Sequence, residues 1–156
     1  MRGQLTLEPA SPSDLEQICR LLDSNGLPTA DIDEQHLAGF MVARSGGDLV
    51  GVVGIEPHGT EALLRSLCVV ADQRGRGLGL ALCGAAEAAA RGTGARELYL
   101  LTTDARAYFE KQGFAACSRE GTAATIQSTA EFQTLCPSTA TVMSKRLPTV
   151  TGAPLG

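Results

Sequence analysis

Between the largely apolar run Leu63-Leu64-Arg65-Ser66-Leu67-Cys68-Val69-Val70 and an alanine-rich segment lies Gln73-Arg74-Gly75-Arg76-Gly77-Leu78-Gly79. The apolar run reads as a buried strand, and the alanines that follow read as a helix. Glycines at 75, 77 and 79 let the backbone between them approach a ligand closely. The opening helix turns unbonded N–H groups and the positive end of its dipole toward the same loop. Two guanidinium groups, on Arg74 and Arg76, add charge. Strand, small cationic loop and helix start, in that order, make a cradle for a pyrophosphate. A dinucleotide-fold G-x-G-x-x-G needs glycine at position 80, which is Leu80, and no Lys-Ser or Lys-Thr follows these glycines as a P-loop requires.

The rest of the pattern builds a sheet around this cradle. Leu5-Thr6-Leu7 alternates as a first strand. Ser11 caps a helix with Pro12 in its first turn and Asp14 three residues after the cap. Leu15, Ile18, Cys19 and Leu22 form its apolar stripe, and Asn25-Gly26 and Pro28 stop it. Asp31 to Gly39 forms a second, short helix. Strands Phe40 to Ala43 and Leu49 to Ile55 flank the hairpin turn Ser45-Gly46-Gly47-Asp48, and Pro57-His58-Gly59 turns into the strand Ala62 to Val70. A helix from Gly79 to Arg91 leads to a buried strand, Leu98 to Leu101, and a short helix, Ala105 to Gln112. A strand from Phe114, a helical stretch from Thr122 to Phe132 and a last strand from Thr139 to Leu147 complete the order.

Antiparallel hairpins thus come first, and a crossover helix then links two strands that lie parallel. The prediction is one α/β domain of the α+β type over residues 1–147, followed by a flexible tail over 148–156. The 156 residues, 44% apolar, suffice for a core, which the 4% aromatic content makes aliphatic. A net charge of −4 argues against nucleic acid as a partner. No apolar stretch of membrane-spanning length and no leader pattern occurs, so a cytoplasmic protein with no membrane partner is expected. Cys19, Cys68, Cys83, Cys117 and Cys136 lack paired spacing, so neither disulfides nor a metal site is expected.

Arg74, Gly77 and Gly79 fill the pattern Gln/Arg-x-x-Gly-x-Gly/Ala, and the loop resembles the acyl-CoA-binding motif of the GNAT superfamily of N-acetyltransferases. Downstream, Ala105-Arg106-Ala107-Tyr108-Phe109-Glu110-Lys111-Gln112-Gly113-Phe114 resembles the family segment Asn-x-x-Ala-x-x-Phe-Tyr-Glu-x-x-Gly-Phe. The resemblance implies the GNAT fold: a mixed central sheet of six to seven strands, about four helices, and acyl-CoA in the splay between the fourth and fifth strands. Acetyl-CoA is then the cosubstrate. Its pyrophosphate lies on the N–H groups of Arg74, Gly75, Arg76, Gly77, Leu78 and Gly79. The main chain of Leu67, Cys68 and Val69 pairs with the pantetheine arm as an added strand. The implied partners are a small-molecule amine and a second copy of the chain, in a homodimer.

Two positions depart from the family. Its thiolate-protonating tyrosine falls at Phe109, with Tyr108 one place earlier and so rotated by about 100°. Tyr108 either reaches round to the cofactor as general acid or packs on its helix. Thr102 stands where the family often has Asn, at the cofactor. Leu64 to Leu67, Leu98 to Thr103 and Glu131 to Ser138 further resemble the arsenic-resistance-associated branch, in whose setting relatives acetylate glutamate-like antimetabolites.

The implied chemistry is direct attack of a neutral amine on the thioester, with an N–H at the end of the Leu63–Val70 strand on the oxyanion. The amine must first lose a proton. Glu56 is the first candidate base, against a solvated loop carboxylate, and His58 the second; the other histidine, His36, sits on an early helix. Strand alternation points Arg65 the same way as Leu67 and Val69. Arg65 then either grips an acceptor carboxylate or phosphinate, or pairs with Glu56 or Glu61. The first outcome means an anionic acceptor, the second a neutral or cationic amine. A CoA-binding sensor or interaction protein without efficient turnover is the alternative function, and Phe109 lends it weight.

Overall fold

The reciprocal cap expected at Ser11 organises the start of the fold. In the computed structural model, which describes residues 5–135 and 139–148, β1 (Leu5–Pro9) runs into it. The Asp14 carboxylate accepts from the Ser11 N–H at 2.8 Å, Pro12 fills the first turn, and α1 (Leu15–Ser24) follows. Arg44, on β2 (Phe40–Ser45), donates to Asp14 at 2.5 Å and to Glu8 at 2.8 Å. One guanidinium thereby ties the edge strand to the helix entry. Burial alone would raise the Asp14 carboxyl, but hydrogen bonds from Arg44 and Ser11 outweigh it and hold the group below the ordinary carboxylate range.

The second helix is shorter than its expected span. α2 is Glu34–Leu37, because Asp33 caps it by accepting from the His36 N–H at 3.0 Å. β3 (Asp48–His58) outruns its expected end, since Pro57 and His58 continue the strand and the turn falls at Gly59-Thr60. β4 (Glu61–Val69) returns from it, and α3 (Leu78–Gly92) follows the glycine loop. Beyond lie β5 (Glu97–Thr102), α4 (Arg106–Glu110), β6 (Ala115–Cys117), α5 (Ala124–Gln127) and β7 (Thr141–Arg146). The helical stretch expected from Thr122 divides into α5 and a π-helical turn, Glu131–Leu135. The Thr129 hydroxyl takes the Ile126 carbonyl at 2.7 Å and closes α5. The seven strands form one mixed sheet in the order β1-β2-β3-β4-β5-β7-β6. After Pro148 the expected tail lies outside the described residues.

The chain divides into two compact units, one running to Glu56 and resuming at Leu64–Ala86, the other taking Pro57–Leu63 and continuing from Glu87. In the first, β1-β2 and β2-β3 are antiparallel, and Ile18, Leu22, Ile32, Leu37, Phe40, Val42, Val52 and Cys68 close one core. Each large aliphatic buried there contributes about 1.5–3 kcal/mol. In the second, Glu61 to Leu63 pair in parallel with Glu97 to Tyr99, while β7 pairs antiparallel with both β5 and β6. Leu63, Tyr99, Ile126 and Val142 form its core. Lys145 is bound to Glu87 at 2.9 Å and lies over the Phe114 ring at 5.8 Å. Among the described residues no helix is long and apolar enough to cross a membrane.

Close approach, rather than turning, explains Gly39. A Cβ there would lie 2.2 Å from the Ile55 carbonyl oxygen, which belongs to a backbone that cannot swing aside. Gly84, exposed in α3, has open space around it. Gly39→Ala is therefore expected to lower stability by about 1–3 kcal/mol and Gly84→Ala to raise it by about 0.5–1 kcal/mol, as read by urea unfolding. Because the folded Asp14 carboxyl lies below its unfolded value of about 3.9, its stabilisation is complete above that pH and is lost as pH falls through the folded value. Unfolding midpoints measured from about pH 6 down to about pH 3 should fall less steeply for Asp14→Asn than for the parent.

Candidate functional site

A 3-10 turn, Ala71–Gln73, carries the chain from β4 into the glycine loop. Gly75 and Gly77 both adopt the left-handed region, at φ +78° and +82°, with no atom within 4 Å of where a Cβ would stand. Their absent side chains leave the loop backbone open on that side. The Gly77 carbonyl accepts from the Ala81 N–H at 3.0 Å and starts α3, so the N–H groups of Leu78, Gly79 and Leu80 have no acceptor within the helix. Leu78 is buried and anchors this first turn.

The two loop arginines differ. Arg74 folds back, its Nε donating to the Val69 carbonyl at 2.9 Å and a terminal nitrogen to Asn25 Oδ1 at 2.7 Å. Its guanidinium braces the loop against the end of β4. Arg76 is exposed. Leu67 is half-buried, while Cys68 and Val69 are buried. Burial pushes the Cys68 thiol up, and the nearby Arg74 only partly offsets this, so the thiol stays neutral.

β4 is not a regular strand. Ser66 has φ +62°, the only positive φ at a non-glycine among the described residues. In a regular strand residues three apart face opposite ways. Here Arg65 reaches Asp31, just before α2, and Cys68 belongs to the core cluster that includes Leu37 of α2. Both face the same side, as an extra residue in the strand requires. The alternation expected to align Arg65 with Leu67 and Val69 is therefore broken at Ser66.

Arg65 is enclosed by carboxylates. Its two terminal nitrogens grip Asp31 at 2.5 and 2.7 Å, one of them also donates to Glu56 at 2.6 Å, and Nε donates to the Ser66 hydroxyl at 3.1 Å. Of the two outcomes open to this residue, the ion pair is the one formed. Glu61, the other expected partner, instead accepts from Thr60 at 2.6 Å and from Thr125 at 3.0 Å. Burial raises the Asp31 carboxyl, yet hydrogen bonds and charge from Arg65, with a smaller contribution from His36, bring it below the usual range. His36 lies beside the pair, Nε2 at 3.8 Å from Asp31 and 3.7 Å from Glu56. Ligand atoms of Asp31, His36 and Glu56 thus cluster within 4.8 Å, but the Arg65 guanidinium already bonds both carboxylates, and its charge repels a metal ion.

The remaining predicted residues lie in the second unit. Thr102 is buried and its hydroxyl oxygen accepts from the Ala105 N–H at 3.0 Å, which turns the chain into α4. Phe109 is buried edge-on against Phe114, with ring centroids 5.7 Å apart. Tyr108 is exposed and stands edge-on to Phe109 at 5.2 Å. His58 ends β3 half-buried. The sequence reading missed Asp31 altogether and gave His36 no role. Nothing in their spacing signals that Asp31 meets Arg65, 34 positions on, or that His36 meets Glu56, 20 positions on; the one local hint was Asp33, a good cap residue, ahead of a short helix.

A sequence model of the acetyltransferase (GNAT) family matches residues 8–114. Comparison with curated protein sequences gave no match. Among solved structures, N-acetylglutamate synthase from Neisseria gonorrhoeae, complexed with coenzyme A and N-acetyl-glutamate, superposes with TM-score 0.81 at 20% identity. That alignment covers 93% of this chain but only 35% of the synthase. Rv2747 from Mycobacterium tuberculosis, solved with CoA, gives TM-score 0.76 at 20% identity over 92% of this chain and 99% of that one. The PaiA N-acetyltransferase of Thermoplasma acidophilum, in complex with coenzyme A, gives 0.66 at 15% identity over 92% and 99%. These likenesses establish the fold. With the family match spanning well over half the chain, they lead to one conclusion: the protein belongs to the acetyltransferase (GNAT) family, acyltransferases whose cosubstrate is acetyl-CoA.

Proposed function

We propose that this protein transfers the acetyl group of acetyl-CoA to the amino group of a small molecule. The observation that carries the reading is the cradle itself: two left-handed glycines leading into the open N–H groups of α3. In this reading the loop from Arg74 to Gly79 holds the pyrophosphate, and Leu67, Cys68 and Val69 present main chain to the pantetheine arm. The kink at Ser66 interrupts the ladder, so that a main-chain N–H near it serves the oxyanion. Glu56 takes the amine proton. Tyr108 is the proposed acid, with water as the substitute if it does not reach the thiolate.

The acceptor class follows from Arg65. A buried guanidinium already held by two carboxylates has little to offer an acidic substrate, which favours a neutral or cationic amine. A glutamate-like acceptor, with a role in arsenic resistance, is the second reading. The sequence pieces at 64–67, 98–103 and 131–138 support it, as does the N-acetyl-glutamate held by the Neisseria enzyme. Cytoplasmic location and a homodimer belong to the same proposal. A sensor that binds CoA without turnover is the rival function.

Titration calorimetry should show CoA binding, weakened about tenfold by Gly77→Ala, since an L side chain in this left-handed position costs about 1–2 kcal/mol. Absence of CoA binding by the parent sinks the proposal. Release of CoA thiol should exceed the blank with spermidine, L-lysine or glycinamide and stay near it with L-glutamate; the reverse ranking supports the glutamate-like reading. If CoA binds and raises the melting temperature but no amine raises thiol release, the sensor reading stands. Tyr108→Phe should lower kcat about 10²-fold if the phenol is the acid, and an unchanged kcat removes it from that role.

A further inference from the structure

We infer that His36 is the proton outlet of this site, a positioning residue that takes from Glu56 the proton lost by the acceptor amine and delivers it to solvent. The inference rests on the reading of Glu56 as the base. It starts from a mismatch of hydrogen-bonding types. His36 Nδ1 lies 3.1 Å from Asp33 Oδ1, and an ionised carboxylate oxygen can only accept, so Nδ1 carries a hydrogen. In a neutral ring Nε2 is then an acceptor. It faces two further acceptors, Asp31 Oδ2 at 3.8 Å and Glu56 Oε2 at 3.7 Å. A proton brought to Glu56 Oε2 therefore has an acceptor, the Nε2 lone pair, facing it at 3.7 Å. Once Nε2 holds it, both ring nitrogens donate toward carboxylates and the conflict disappears.

Four charged side chains surround the ring: Asp33 from the α2 cap, Asp31 from the preceding segment, Glu56 from β3, and Arg65 from β4 through both of the latter. Arg65 anchors the inner side by pairing with Asp31 and Glu56, which fixes the carboxylates while the imidazole lies on their outer side. Exposure rises step by step along this row. The side chain of Arg65 is 0% accessible, Glu56 12%, His36 29% and Asp33 62%.

The step balances. The acceptor ammonium gives one proton to the Glu56 carboxylate, which becomes a carboxylic acid. That acid passes the proton to His36 Nε2, forming imidazolium, and the imidazolium releases it to water. The freed amine forms an N–C bond with the acetyl carbon as the C–S bond breaks, and the second nitrogen proton ends on the CoA sulfur. Amide, CoA thiol and one solvent proton result.

The test compares the parent with His36→Ala, His36→Gln and Glu56→Gln, using whichever of spermidine, L-lysine, glycinamide or L-glutamate releases CoA thiol fastest. Both His36 variants should lose about 10²-fold in kcat with the KM for acetyl-CoA and the CoA affinity unchanged. Added imidazole should restore His36→Ala, and the alkaline rise of the pH–rate profile should change shape. Parent-like kcat and pH profile in both variants overturns the outlet, as does a loss that imidazole never restores. If the parent releases no thiol with any amine, the acetyl-transfer reading fails separately. Nitrogen NMR of the ring then decides: the His36 Nε2 signal should shift on Glu56→Gln, and an unmoved signal overturns the coupling.

Discussion

A buried guanidinium must find its counter-charges before the chain around it can close. Arg65 sits in the middle of β4 with its side chain wholly out of solvent, and its partners come from the segment before α2 and from β3. Leaving one charge of such a set without partners costs about 3–5 kcal/mol, a large share of any domain's stability. The first unit therefore folds as a network in which β3, β4 and the α2 entry set one another's positions. Arg44 repeats the device at the sheet edge, joining Glu8 to the buried cap residue Asp14.

That network also orients the strand that leads to the glycine loop. The inserted Ser66 lies directly after Arg65, so the charge cluster and the break in the ladder are consecutive in sequence. Ser66 accepts from Arg65 Nε at 3.1 Å, which couples the kink to the guanidinium. Eleven positions separate Ser66 from Gly77, and Arg74 binds the Val69 carbonyl so that the loop stays fixed to the strand end. A rigid approach is what a phosphate cradle made of backbone needs, because its N–H groups have no side-chain freedom with which to adjust.

Legibility varied with the range of the interaction. The cap at Ser11, the stripe Ile18 and Leu22 and the turn at Gly46-Gly47 depend on neighbours a few positions away, and each stood in the sequence. Local chemistry also corrected expectations: Asp33 is the better cap, so α2 begins later than Asp31. Arg65 could be recognised as an unusual charge in an apolar strand, with Glu56 and Glu61 as possible partners. Its choice of Asp31, a residue 34 positions earlier, could not. Strand alternation failed at the same place, because a single inserted residue reverses every side chain beyond it and no composition signal marks the insertion.

From its own residues this chain determined the strand, the glycine loop and the helix that follow one another from Glu61 to Gly92, and with them the family. Those features are set by steric limits on φ and by hydrogen bonds to near neighbours, which act the same way wherever the segment sits. Only the tertiary structure decided that Arg65 is neutralised, that Arg74 is a brace, and that His36 stands against Glu56. Charge pairing acts through space over a few ångströms, so it depends on which distant segments the fold brings together and not on their order along the chain.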